Sequence, residues 1–295
     1  MMGKLFQTQC PLLGMLLIVC ATSLCYGCNE GPYSTPTGYY MKKPKKMELG
    51  KVLNEISGIS YNADSNTVRA ISDSKGKVFE LNLSRMKLRD VAEKFYQPAD
   101  QPDYEDIVEV GKIFYILISD GTLLSVPAGA KDTSGTIIYP TPFTDKNDFE
   151  TLYHDPSVNS LILICKSCAV DKGKKMRTAF RFDLGTKIME QSPYYTMSIE
   201  KVREIVRKDD MDFKPSAAAI HPVNKRLYVL SSASNLLVVS DTRGQIIEAF
   251  HLNPDNFPQA EGIAFAPNGD MYVSNEGKYG KPTLLLFPYL HGKKK

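Results

Sequence analysis

A chain of 295 residues with 36 basic and 33 acidic side chains carries a net charge of +3, too close to balance for a nucleic-acid surface. Its lysine groups at 42–46, 172–175 and 293–295 sit among acids or at the tail, so they read as solvated faces. Hydrophobic residues form 43% of the chain, enough for one large domain or two small ones with ordinary cores.

The N-terminal segment has Lys4 as its only early charge, then an apolar run from Leu12 to Leu24. That run fits the hydrophobic region of a secretory signal and is too short for a membrane span. Gly27 before Cys28 suggests lipoprotein processing, with Cys28 as the lipid-bearing first residue. Ordinary signal cleavage is the alternative, because Cys25 stands where such signals usually carry Leu. The expectation is a lipoprotein signal over 1–27, a tether over 28–46 and one folded domain over 47–292. The tether contains "GPYSTPTGYYMKKPKK", rich in Pro, Gly and Lys and without an apolar period. The expected location is the envelope of a Gram-negative bacterium, periplasmic or outward-facing, held to a membrane by the lipid.

Beyond the tether one pattern recurs five times. It opens with "SGISYN" at Ser57, "EDIVEV" at Glu105, "ETLYHDP" at Glu150, "SAAAIHP" at Ser216 and "EGIAFAP" at Glu261. A second strand follows each ("TVRAISD", "KIFYILISD", "SLILICK", "RLYVLSS", "DMYVSNE"), and then a third, as in "KVFELNL" and "TLLLFPY". Fourth strands are visible in the first four copies. Antiparallel four-stranded units at a period of roughly 45–50 residues predict an all-β, five-bladed β-propeller. One unit cannot bury both of its faces, whereas five packed radially can. The fifth copy lacks a fourth strand, and "KKMELGKVL" (45–53) precedes the first copy without a partner, so it is expected to close the ring. The absence of tryptophan argues against the WD type. Within 197–210, Ile199, Val202, Ile205 and Val206 recur at helical spacing behind Ser198, predicting a short capped helix between blades three and four.

In a propeller the first strand of every blade lines the central channel, and all five run parallel. Ser57, Glu105, Glu150, Ser216 and Glu261 should therefore ring one channel mouth. Loops between second and third strands should bring Asp73, Asp120, Lys166 and Glu276 to the same face. Three converging carboxylates repel unless a counter-charge is present, and a hard divalent cation supplies it. Calcium suits the set, since it accepts about 6–8 oxygens in a flexible arrangement completed by water. No histidine or thiolate joins the ring, which disfavours zinc and copper. Glu55, two residues before Ser57, points to the same side of its strand and could add a carboxylate. The plainer alternative is that each glutamate ends a strand and meets only water or Lys166.

The segments "EISGISYN", "YEDI", "FETLYHDP", "KPSAAAIHP" and "AEGIAFAPNGDMYVSNEG" resemble the SdiA-regulated domain family of bacterial envelope proteins, over about residues 50–290. The resemblance implies a five-bladed propeller distantly similar to NHL-repeat proteins, a calcium site, and no established enzymatic activity. Carried over, the metal positions would be Glu105, Glu150 and Glu261. Ser57 and Ser216 leave that ring incomplete relative to the family pattern.

"CKSC" (165–168) has redox-motif spacing, yet thioredoxin chemistry needs the first cysteine at a helix start. Here Cys165 ends a strand and the charged loop "VDKGKKMR" follows, so a structural Cys165–Cys168 disulfide fits better, as an oxidising envelope permits. His154 and His221 fall at the far ends of first strands, away from the carboxylates. Neither a glycine-rich phosphate cradle nor a Gly-x-Ser-x-Gly elbow occurs. The leading expectation is a calcium-stabilised binding module presenting loops to a protein or glycan, with no nucleic-acid partner. The alternative is a calcium-dependent hydrolase, similar to lactonase and phosphotriesterase propellers or, given a more crowded carboxylate and lysine site, to phytases. An open cavity at the mouth would favour the enzyme, and a mouth filled by Tyr or Phe the scaffold.

Overall fold

The computed structural model describes residues 33–85, 87–92, 95, 103–143 and 146–291. The expected signal segment (1–27) and the expected lipid-bearing Cys28 lie outside the described residues. The chain first forms β1 (Lys45–Glu48), whose partner comes last. Blade one is β2 (Ile56–Asn62), β3 (Thr67–Ser72), β4 (Lys75–Asn82) and β5 (Lys87–Ala92). Blade two is β6 (Tyr104–Val110), β7 (Ile113–Ile118), β8 (Leu123–Pro127) and β9 (Ile137–Tyr139). In blade three, β10 (Phe149–Asp155), β11 (Ser160–Cys165) and β12 (Met176–Asp183) are followed by an outer strand in two pieces, β13 (Ile188–Met189) and β14 (Tyr195–Ser198). The break between the pieces contains Pro193, which cannot donate to a ladder.

Helix α1 (Ile199–Val206) then begins at the expected cap, where Ser198 Oγ accepts the Lys201 N–H at 3.1 Å. It ends at Arg207, in left-handed conformation, and buries Ile199 and Val202. Blade four is β15 (Ala217–Ile220), β16 (Leu227–Ser231), β17 (Leu236–Ser240) and β18 (Ile246–His251). Blade five is β19 (Ala260–Phe265), β20 (Met271–Asn275) and β21 (Thr283–Phe287), completed by β1 in the register Lys45↔Leu286 to Glu48↔Thr283. The ring is closed by the N-terminal strand.

Each hairpin from first to second strand carries a residue at positive φ: Asn66, Gly111, Asn159, Lys225 and Gly269. The second strands of blades one, three, four and five are buried along their whole length; β11 is accordingly a near-continuous apolar run, whereas β3 buries Arg69 through ion pairs with Glu80 and Glu109. Five apolar layers fill the five blade interfaces. Phe114 and Ile116 sit with Ile71 and Val78 between blades one and two, and Phe149 and Phe180 with Tyr115 between two and three. Ile162 and Val229 belong to the layer between three and four, Tyr228 and Phe287 to that between four and five, and Ile59 and Tyr272 to that between five and one. Tyr39 and Met41 join the layer between blades four and five, and Tyr39 Oη donates to Gly269 O at 2.5 Å. The segment whose composition reads as tether thus enters the fold by Tyr39, because two apolar side chains there find a core between blades.

Candidate functional site

The ring residues owe their orientation to a repeated irregularity. In β6 the pairing passes from Tyr104↔Ile118 to Asp106↔Leu117, leaving Glu105 as a bulge. The same slip isolates Glu150 in β10, Glu261 in β19, and Ser57–Gly58 in β2. A bulged residue leaves the ladder and its side chain is re-aimed, here into the channel. In blade four Ser216 stands just before β15 and its N–H goes to Leu230 O at 2.9 Å. All five ring positions line one cavity of about 460 Å³, together with Asp73, Lys166 and Glu276 from the expected loops.

Within that cavity Glu105, Asp148 and Glu150 each offer an oxygen within 4.8 Å of the others. Glu261 lines the same cavity but stands outside this triad; Gln259 and Ser232 hydrogen-bond to it. The Lys166 ammonium is hydrogen-bonded to Glu150 and lies 3.8 Å from Asp148 Oδ2. The two ring serines differ. Ser216 Oγ donates to Ala260 O at 2.9 Å and accepts the Ser232 N–H, so it ties blade four to blade five. Ser57 Oγ is buried at 5% residue exposure and has no partner, and Asp73 Oδ1 is likewise buried and unpaired. Such orphans in a polar cavity are places for a ligand or its water. With an all-oxygen acidic donor set around them, the residues fit a hard divalent cation.

The electrostatics point the same way. Burial pushes Glu105 up to about 10, with repulsion from Glu150 and Asp103 adding to it. Burial, then Glu150 and Glu276, raise Glu261 to about 8. Glu276 rises to about 7 through burial and Asp73, and Asp73 to about 6 through burial and Glu55. Glu150 is raised by burial and pulled back by Lys166. These carboxylates cannot all ionise together without further positive charge.

Asp120 is not part of the site: it is exposed and accepts the Thr122 N–H at 2.7 Å within its own turn. Glu55 stays outside the cavity lining, accepting from Ser74 Oγ at 2.6 Å, and acts on the site through repulsion of Asp73 and Glu276 and a hydrogen bond with Asp73. Cys165 and Cys168 form a disulfide. His154 and His221 are absent from the cavity lining. His221 is buried at a turn, its Nδ1 accepting the Val223 and Asn224 N–H groups at 3.1 Å.

Sequence reasoning missed Asp103, Asp148 and Gln259, which also line the cavity. Each lies two residues before a ring glutamate. The alternation that pointed to Glu55 therefore applied in three other blades, where it was the better guide.

The SdiA-regulated family model matches residues 187–279, a stretch that includes Ser216 and Glu261 but not Glu105 or Glu150. No curated protein gives a significant match. Among solved structures, glutaminyl cyclase of Myxococcus xanthus superposes with a TM-score of 0.53 at 11% identity, covering 84% of this chain and 95% of that one. A luciferin-regenerating enzyme gives a TM-score of 0.50 at 14% identity, covering 84% and 96%. At such identities the likeness is one of fold, and activities do not carry over. The family resemblance of the repeats is thus met twice, by the SdiA-regulated match over residues 187–279 and by the five-bladed propeller in which those residues sit.

Proposed function

We propose that this protein is an envelope lipoprotein whose propeller binds calcium at the channel mouth and acts as a binding module for a protein or glycan. The observation that carries the metal reading is the convergence of bulged Glu105 and Glu150 with Asp148, in a cavity that also holds the unpartnered, buried Ser57 Oγ. Glu105, Asp148 and Glu150 would hold the ion, with Glu261 and Ser57 in reach of its waters. The anchor and envelope location rest on the apolar run before Gly27 and Cys28.

A second reading, a calcium-dependent hydrolase, is favoured by one feature of the mouth. It is an open polar cavity with no Tyr or Phe lining it among the described residues, and Asp103, Asp148 and Lys146 make it more crowded than the sequence indicated. Bound calcium would supply charge to polarise an ester or phosphoryl oxygen. Glu261, in the same cavity with Gln259 and Ser232 hydrogen-bonded to it, would be the proton acceptor or donor.

Thermal unfolding in EDTA and then in rising calcium tests the metal reading, with Glu150→Ala beside the wild type. A ligand of the native state alone stabilises by about 2.7 kcal/mol at a hundredfold excess over Kd. A calcium-dependent rise in Tm that Glu150→Ala abolishes is expected. An unchanged Tm in the wild type would reject the site. Hydrolysis of ester or phosphate substrates, lost in EDTA and in Glu150→Ala, would move the assignment to the second reading.

A further inference from the structure

Lys166 occupies an unusual place in the site. It lies between the two cysteines of the Cys165–Cys168 disulfide, and that short loop is fastened to the strand carrying the acids. The Lys166 and Ser167 N–H groups both donate to Asp148 O, at 2.9 and 3.0 Å, and Cys165 pairs with Phe149. The backbone of Lys166 is thereby fixed relative to Asp148 and Glu150. Its side chain is 29% exposed, and the ammonium bonds to Glu150 and sits 3.8 Å from Asp148 Oδ2. These are two of the three carboxylates that converge in the cavity. A metal ion on those oxygens would meet a like charge at contact distance, so the two cations exclude one another.

We propose that Lys166 is a tethered counter-ion, which takes the cation position in the metal-free protein and competes with the divalent ion for Glu150 and Asp148. This rests on the reading of the mouth as a metal site. An independent observation supports a second occupant. The buried Ser57 Oγ and Asp73 Oδ1 of the same cavity remain without partners while the ammonium is in place. The built-in cation neutralises part of the site and leaves its other polar atoms for an incoming ligand. The arrangement also sets selectivity. A monovalent ion brings no more charge than the ammonium it must displace, whereas a divalent ion brings twice as much. Lys166 is therefore a specificity-determining residue for the channel.

The test is calorimetric titration of calcium chloride into the full protein, its Lys166→Met and Lys166→Gln variants, and Lys166→Arg, with Tm in EDTA measured for each. Removing a partly buried charged competitor is expected to tighten calcium binding about tenfold or more. The same variants should lose stability in EDTA, because Glu150 loses its partner. Opposite signs in one variant separate competition from general damage. Lys166→Arg keeps the charge and should bind calcium as the wild type does. Equal or weaker calcium binding by both neutral variants, with the wild type binding, would overturn this proposal alone. An absence of calcium binding in every form would overturn the metal reading and this proposal with it.

Discussion

Gly58 and Asp106 show how closely the first strands approach beneath the ring. Asp106 is buried, and its carboxylate accepts the Ile107 N–H and, from the next blade, the Leu152 N–H, both at 2.8 Å. A Cβ on Gly58 would fall 2.3 Å from Asp106 Oδ1 and 2.6 Å from its Cα, so only glycine lets blades one and two meet there. Above this floor, the ring carboxylates link stability to pH. Burial pushes Glu105 and Glu261 up to about 10 and about 8 in the folded protein, from an ordinary 4.5. For acids raised in this way, the stabilising contribution is complete below the unfolded value and is lost as pH rises through the folded one. In EDTA the Tm should therefore fall between about pH 4.5 and about pH 10, by less in Glu105→Gln, and calcium should flatten the fall by favouring the ionised forms. Circular dichroism melts across that range check this, and a Tm indifferent to pH without metal would refute it.

At the scale of elements, the bulges in β2, β6, β10 and β19 do what ideal strands cannot. They detach one side chain per blade from the ladder while the flanking residues stay paired and buried. The disulfide loop does the complementary task of fixing Asp148 from the outside. With so few residues between the cysteines, the loss of unfolded-state freedom stabilises by about 2 kcal/mol at most. Cys165→Ser with Cys168→Ser should lower the urea-unfolding free energy by about that amount, as should reduction of the wild type by a dithiol. A much larger drop would mean that the disulfide holds more of blade three than its own loop. The sequence showed the helix at 199–206 by its period and cap. It did not show the divided outer strand of blade three, because β13 and β14 are short and take their order from pairing with β12.

Across the whole molecule, blade five is assembled from both ends of the folded chain, through β1 and β21. Closure makes every blade a neighbour of two others, so the five apolar layers stand or fall together. Met47 pairs with Leu284 and packs on the layer between blades five and one. Met47→Pro removes the residue's N–H and strains the pairing, at a cost of at least about 1 kcal/mol, or about 2–4 °C in Tm for a domain of this size. Calorimetry should still show a single transition. A separate early transition for blade five would show that closure is not part of the cooperative unit.

The sequence alone determined the repeat, the blade count, the closing strand and the ring of Ser57, Glu105, Glu150, Ser216 and Glu261. These features follow from local periodicity and from the one geometric rule that equivalent strands share a channel. Only the tertiary structure decided which acids meet. Asp148 joins Glu105 and Glu150 while Glu261 stands apart, Ser216 is spent on a neighbouring blade while Ser57 stays free, and Lys166 lies on the acids themselves. Those outcomes depend on distances between blades, set by side-chain volumes such as the missing Cβ of Gly58 and by loop backbones fastened across strands. Neither is written in the spacing of residues along the chain.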